Sequence, residues 1–116
     1  MTEAIIATPI TPDGHIEPRF GRAPRVAVAH VSDGEITDWT EYQVDWDVLH
    51  DGEGEGAHHA RIVRFMREHH VGAVVAEHMG PGMVNTLTKL GLALVMPAPD
   101  PDAHTAVQLA AGNLSG

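Results

Sequence analysis

The second half of the chain alternates between short apolar runs and amphipathic helical patterns, and this alternation restricts the folds that the chain can adopt. Apolar runs span 71–76 (VGAVVA) and 92–96 (LALVM), and helical patterns span 57–70, 81–90 and 101–111. Strands joined by a helix pair in parallel through right-handed crossovers. The sequence therefore predicts parallel strands with helices on the faces of the sheet, and both apolar runs are expected to be buried strands.

The first half of the chain predicts antiparallel strands. An apolar run at 3–8 (EAIIAT) predicts a strand closed by Pro9, and a loop rich in proline and glycine follows as far as Pro24. Two further runs, 25–31 and 36–44, flank the turn sequence SDGE and predict a hairpin. A length of 116 residues allows one core. We expect a single α/β domain over residues 1–116, whose mixed five-stranded sheet combines an N-terminal antiparallel hairpin with a βαβαβα unit.

The segment between the hairpin and the first long helix, residues 45–56, has a different composition. Glycines and acids alternate there (DGEGEG), which predicts a mobile, solvent-exposed loop. The helical pattern that follows carries Arg61, Arg64 and Arg67 at intervals of three residues. That spacing predicts an amphipathic helix with one cationic edge.

Composition excludes several classes of function. The formal net charge of −9 argues against a nucleic-acid partner, because phosphate binding needs a basic patch. The chain has no cysteine, so neither a disulfide nor a thiolate ligand can form. Its opening residues do not resemble a leader peptide and it has no long apolar run, so we expect a cytoplasmic protein without a membrane partner. Nine histidines are unusual for this length, and imidazole is the commonest metal ligand in proteins.

Three sequence features are expected where strands end or helices begin. They are RFGRAP (19–24) after the first strand, the pair His58 and His59 before the first long helix, and EHMGPGM (77–83) after the strand at 71–76. Ligands of open α/β sheets bind outside the carboxyl ends of the strands. Since the two strands concerned are predicted to run the same way, RFGRAP and EHMGPGM can converge at one edge.

The EHMGPGM segment allows three interpretations. It can be a plain turn around Gly80, Pro81 and Gly82, a nest of backbone N–H groups that binds an anion at a helix start, or one wall of a metal site with the His78 imidazole and a methionine thioether. The segment alone leaves these three open.

The adjacent pair His58 and His59 also has two interpretations. Neighbouring residues on a helix point about 100° apart, so the two side chains cannot both face one small ion unless one of them lies in the non-helical cap. Both continue apolar rows along the helix, so either can simply cap the core, and the other interpretation is that one of the two is functional.

The motifs together resemble the dinitrogenase iron-molybdenum cofactor-binding family. The resemblance runs from Ile5 to about Ala111, and its most specific parts are FGRAP (20–24) and the block from Val74 to Gly91. Members of that family have a ribonuclease H-like fold with a mixed five-stranded sheet. The resemblance implies non-catalytic binding or carriage of an anionic metal–sulfur cluster, either iron–sulfur or molybdenum-containing, or of its precursor. It also implies a cluster donor or acceptor protein as a partner.

The resemblance implies a set of binding residues as well. The cofactor-binding positions that it indicates are Arg19, Phe20, Gly21, Arg22, His58, His59, His78, Met79, Gly80, Pro81 and Gly82. Two of them, His59 and His78, are the implied metal ligands. One of Met79 and Met83 is expected to pack in the core.

Two functions of other classes compete with cluster binding. A nuclease of the ribonuclease H type needs a carboxylate near the middle of its first strand, whereas the only acid here is Glu3 at its start, so we predict no enzyme activity. The alternative is a regulatory or scaffold module that binds a small anion or a protein partner without a cluster. Capture of a single divalent ion by histidines is a weaker possibility. The sequence leaves the identity of the cluster and the oligomeric state open.

Overall fold

Five strands and four α-helices follow one another in the part of the chain that a computed structural model describes, residues 3–52 and 55–115. The strands are β1 (Glu3–Ile10), β2 (Arg25–Ser32), β3 (Glu35–Gln43), β4 (Ala73–Val75) and β5 (Ala93–Val95). The helices are α1 (Trp46–Gly52), α2 (Glu55–Glu68), α3 (Pro81–Lys89) and α4 (Ala103–Ser115), and a 3₁₀ turn covers Phe20–Arg22.

The strands form the predicted mixed sheet, in the order β3-β2-β1-β4-β5. The first three strands pair antiparallel, and β4 pairs in parallel with both β1 and β5. At the hairpin turn, Asp33 and Gly34 have φ angles of 50° and 83°. Positive φ at both central residues is the turn geometry that matches the twist of the flanking strands. The fold class and the common direction of β1, β4 and β5 are therefore confirmed.

Helices cover both faces of the sheet. On one face, residues from α2 and α3, including Ile62 and Leu87, pack with Val26 and Val28 of β2. On the other face, the small side chains of α4 pack with Ala27 and its neighbours on β2. Successive side chains of β2 therefore point to opposite faces of the sheet, and both faces are buried. None of the described helices is long and apolar enough to cross a membrane.

The predicted mobile loop at 45–56 is wrong for most of its length. Residues 46–52 form α1, α2 begins at Glu55, and residues 53 and 54 lie outside the described part. Trp46 is only 1% exposed, and its ring lies 5.7 Å from the rings of both Phe20 and Phe65, measured between centroids. Burial of so large a side chain among other aromatic rings outweighs the preference of a glycine-rich segment for a loop.

Two strand predictions are also corrected. Strand β1 continues through Pro9 to Ile10, because both residues pair with β2. The proline is tolerated there since β4 pairs only with Ile6 and Ala7 on the other side. The run at 92–96 was expected to be a buried strand, but β5 is an edge strand with Ala93 exposed. No described strand pairs with the outer side of β5. An apolar pattern that is typical of a central strand therefore belongs to an edge strand here.

Candidate functional site

Backbone contacts bring the loops that follow β1 and β4 together at the carboxyl ends of these strands. Arg19 and His78 form an isolated parallel β-bridge, and the Phe20 N–H donates a hydrogen bond to the His78 carbonyl oxygen at 3.4 Å. The predicted convergence of RFGRAP and EHMGPGM at one edge is therefore observed.

The 3₁₀ turn presents two arginines beside this junction. Its Phe20 side chain is 2% exposed and packs against Trp46, which anchors the turn to the core. The Arg22 N–H donates to the Arg19 carbonyl oxygen at 3.0 Å and closes the turn. The Arg19 side chain is 70% exposed, and Arg22 is half-buried. The apolar anchor thus holds two cationic side chains at the edge of the sheet.

Helix α3 begins directly after His78 and Met79. Gly80 is its N-cap in an extended conformation, Pro81 is its first residue, and no described side chain caps it. The first intrahelical bond runs from the Val84 N–H to the Gly80 carbonyl oxygen at 3.0 Å. Backbone N–H groups before that bond have no helical acceptor and carry the positive end of the helix dipole, which favours anions.

A pocket of about 310 Å³ opens between the 3₁₀ turn, the start of α2 and the start of α3. Its lining includes all eleven cofactor-binding positions named above, together with Ile62 and Met83. The lining residues are Arg19, Phe20, Gly21, Arg22, His58, His59, Ile62, His78, Met79, Gly80, Pro81, Gly82 and Met83. Their shared location is observed, and their role in binding a ligand stays a prediction. We call this region the cargo pocket.

The histidines of the cargo pocket have different environments. His58 is 2% exposed, and its Nε2 and Nδ1 lie 2.7 Å from the Gly21 carbonyl oxygen and 2.9 Å from Arg61 Nη1. His59 is half-buried beside α3, where a Cβ added to Gly82 would lie 3.3 Å from its Cε1. His78 is exposed. Hydrogen bonds occupy both ring nitrogens of His58, so this residue can line the pocket but is not available as a metal ligand.

The methionines form the apolar side of the pocket. Met79 and Met83 are 6% and 5% exposed and belong to the core cluster on the α2 and α3 face. One of the two was expected to pack in the core, and both do so. The pocket therefore has an apolar base of methionine and isoleucine and a polar rim of arginine, histidine and backbone.

Two residues that shape the site were missed by the sequence reasoning. Arg61 contacts His58, and the interval of three residues on one helix was the signal that could have paired them. Glu17 accepts a hydrogen bond from the Arg19 N–H at 3.2 Å and lies 3.8 Å from its Nε. A carboxylate two residues before an arginine was visible in the sequence, but its orientation was not.

The described residues that line the cargo pocket differ in charge from the chain as a whole. The chain has a net charge of −9, yet none of the described residues that line the pocket carries a carboxylate. In the described part of the chain, no group of three or more histidine, cysteine, aspartate or glutamate side chains is arranged to hold a metal ion. The donor set therefore suits a preformed anion better than a bare cation, which needs several protein ligands.

Sequence comparison gives a match to one family. Residues 2–112 match the sequence profile described as dinitrogenase iron-molybdenum cofactor. No curated protein matches the chain significantly.

Structure comparison gives matches over nearly the whole fold. The crystal structure of PH0822 has a TM-score of 0.74 and 15% identity, with 94% of this chain and 89% of that chain covered. A candidate dinitrogenase from Methanocaldococcus jannaschii has a TM-score of 0.70 and 13% identity in its crystal structure, with 97% and 92% covered. The NMR structure of the same protein has a TM-score of 0.70 and 13% identity, with 98% and 92% covered. At these identities the likeness shows a shared fold.

Proposed function

The chain belongs to the dinitrogenase iron-molybdenum cofactor family, and we propose that it binds or carries an anionic metal–sulfur cluster, or a precursor of one, without catalysing a reaction. The observation that carries this proposal is the cargo pocket itself. Two arginines and an uncapped helix start border a pocket in which no described lining residue carries a carboxylate. Such a pocket attracts a preformed anion on a protein that is otherwise acidic.

Each part of the pocket has a distinct task in this proposal. Arg19 and Arg22 supply positive charge, and guanidinium groups donate several hydrogen bonds in a fixed plane. The first N–H groups of α3 supply further donors. A Cβ at Gly80 would meet no atom within 4 Å, so open space lies next to the backbone there and the cargo can approach it closely.

His59 and His78 are the proposed metal ligands. Two imidazoles do not complete the coordination of a bare ion, but they can bind metal atoms at the surface of a cluster whose other ligands are its own sulfides. The cluster is iron–sulfur or contains molybdenum, and the absence of cysteine means that hydrogen bonds and charge carry much of its binding. We place this carriage in the cytoplasm, with a cluster donor or acceptor protein as the partner.

Binding without turnover is proposed because the described lining of the pocket lacks the carboxylates of a two-metal hydrolytic site. None of its described lining residues is a carboxylate, and Glu3, the only acid of β1, is exposed at the opposite end of that strand. A two-metal hydrolytic site needs bridging carboxylates at the reacting centre.

Anaerobic titration with tetrathiomolybdate, monitored through the absorption bands of the anion, tests the proposal. Reconstitution with iron and sulfide extends the test. We expect stoichiometric binding by the wild type and at least about tenfold weaker binding by the double variant His59→Ala, His78→Ala, since each lost imidazole hydrogen bond to a sulfide of the anion costs on the order of 1 kcal/mol. The matched control is His30→Ala, His104→Ala, which removes two exposed histidines outside the pocket. Absence of binding by the wild type, or equal binding by all three proteins, contradicts the proposal.

The start of α3 also favours the alternative function, a regulatory or scaffold module that binds a small anion. Phosphate fits an uncapped helix N-terminus as well as a sulfide cluster does. Inorganic phosphate that competes with tetrathiomolybdate at similar concentration would favour this alternative, because a cluster site with a methionine-lined apolar base prefers the softer sulfide anion.

A further inference from the structure

His58 lies where α1, α2 and the 3₁₀ turn meet. Its imidazole is 2% exposed, and the Trp46 ring packs against it edge to face, with the centroids 6.4 Å apart and an interplanar angle of 83°. Hydrogen bonds to Gly21 and Arg61 occupy its two ring nitrogens. The ring is therefore fixed in place by packing and by polar contacts.

The two partners determine which nitrogen carries the proton. A guanidinium can only donate, so Nδ1 of His58 accepts from Arg61, and a carbonyl can only accept, so Nε2 donates to Gly21. These roles define a neutral imidazole protonated at Nε2. Neither nitrogen has a lone pair left for a metal.

The bond to Gly21 fixes one peptide group of the 3₁₀ turn. The Gly21 carbonyl and the Arg22 N–H belong to the same planar trans peptide and point in opposite directions. The carbonyl accepts from His58 at 2.7 Å, while the N–H donates to the Arg19 carbonyl oxygen at 3.0 Å. Held at both ends, this peptide cannot rotate, and it sets the direction in which the Arg22 side chain leaves the backbone.

We propose that His58 is a positioning residue of the cargo pocket, whose Nε2–H orients the Gly21–Arg22 peptide and through it directs Arg22 toward the anionic cargo. His59, its neighbour, is then the member of the pair that contacts the cargo. This inference rests on the proposed function, and it divides between two adjacent histidines the tasks of shaping the pocket and binding the cargo.

Glutamine and asparagine substitutions separate the two hydrogen bonds. In His58→Gln the amide nitrogen takes the position of Nε2 and still donates to Gly21. In His58→Asn the amide oxygen takes the position of Nδ1 and still accepts from Arg61, but the donor to Gly21 is lost. With tetrathiomolybdate as the probe, we expect binding about three- to tenfold weaker in His58→Asn and largely retained in the conservative His58→Gln.

A control and a second measurement keep the test decisive. His69→Asn removes another packed histidine, one whose ring lies 4.4 Å from Tyr42 and from Phe65, and is expected to bind as the wild type does. Independently of any cargo, long-range proton–nitrogen NMR correlations of nitrogen-15-labelled histidine should show His58 protonated at Nε2 and not at Nδ1.

The outcomes distinguish this inference from the proposed function. If the wild type does not bind the probe, the proposed function fails. If the wild type binds but His58→Asn binds equally well, or His58→Gln loses as much as His58→Asn, the positioning role is overturned while cargo binding stands. A proton found on Nδ1 overturns the positioning role whether or not the probe binds.

Discussion

The Phe20 N–H donates a hydrogen bond to the His78 carbonyl oxygen at 3.4 Å, and this contact extends the pairing of β1 and β4 into the loops that follow them. The two loops are far apart in the sequence but are held in register by the sheet. Side chains that they contribute to the cargo pocket are therefore positioned by backbone pairing. The loops of a pocket preformed in this way lose little conformational entropy when its cargo binds.

Gly80→Ser should stabilise the fold and weaken cargo binding. The residue already has the extended conformation of an N-cap, with φ −63° and ψ 153°, and its Cβ would meet no atom within 4 Å. A serine hydroxyl there accepts from an N–H of the first turn and raises the free energy of unfolding by about 0.5 kcal/mol. That N–H is then no longer available to donate a hydrogen bond to the cargo. Thermal unfolding and tetrathiomolybdate titration measure the two effects, and unchanged cargo affinity would show that α3 does not bind the anion.

Gly82→Ala should weaken cargo binding without destabilising the protein. The new methyl group would lie 3.3 Å from His59 Cε1, so the imidazole must move by a few tenths of an ångström. Gly112→Ala is the matched control, because Gly112 lies in α4 and its Cβ would meet no atom within 4 Å. Alanine in place of a helical glycine stabilises by about 0.5–1 kcal/mol, so neither variant should unfold earlier. Equal cargo affinity of the two variants would contradict a ligand role for His59.

Glu17→Gln should strengthen cargo binding. The Glu17 carboxylate lies 3.8 Å from Arg19 Nε and competes with an anion for that guanidinium, while a glutamine oxygen can still accept the Arg19 N–H. The Arg19 side chain is 70% exposed, and ion pairs with a partner in contact with water contribute about 0.2–1 kcal/mol, which predicts about a 1.5- to fivefold gain in affinity at low salt and less at high salt. Glu41→Gln makes the same change of charge next to Arg25, at 3.9 Å, and serves as the control. A gain of the same size in both variants would reflect net charge and not the Arg19 contact.

Asp102 should make the stability of α4 depend on pH. Its pKa is lowered below the usual 3.8, first by the hydrogen bond from the Thr105 backbone N–H and then by the Thr105 hydroxyl. A carboxyl group with a lowered folded-state pKa stabilises the protein above its unfolded-state pKa, and the contribution is lost as the pH falls through the lower folded-state pKa. Thermal unfolding of Asp102→Ala should therefore occur below the wild-type temperature at neutral pH, and the gap should close below about pH 3.8. Asp102 directly precedes α4, and Asp102→Asn keeps an acceptor for the Thr105 N–H, so this variant should lack this part of the pH dependence.

Local patterns predicted most of the fold because they report local physical preferences. The helical pattern predicted at 81–90 opens with Pro81 and is followed by Gly91, and α3 begins at Pro81 and ends just before Gly91, whose φ is 87°. Proline has the backbone angle of a first helical residue, and glycine accepts the left-handed conformation that ends a helix. The failures were at α1, at the end of β1 and at β5, where tertiary contacts outweigh local preference. Trp46 is buried by aromatic rings from other segments, and the position of β5 at the sheet edge follows from strand order.

The candidate site was found in the sequence as three separate motifs, and the structure places all of their predicted residues around one pocket. The direction of the strands made their convergence predictable, since parallel strands end at the same edge. The division of tasks between His58 and His59 was not predictable. It depends on a carbonyl oxygen at Gly21, in a loop that the sequence alone does not bring next to α2.

The sequence by itself determined the order of the elements, the parallel direction of β1, β4 and β5, and the residues available to the cargo pocket. Periodicity and turn residues act over a few positions, so they can be read along one chain segment at a time. Only the tertiary structure decided which histidine is buried, and that most of the segment predicted as a loop forms α1 around Trp46. Each of these depends on atoms from segments distant in sequence, and their packing fixes the side-chain orientation that local preference leaves free.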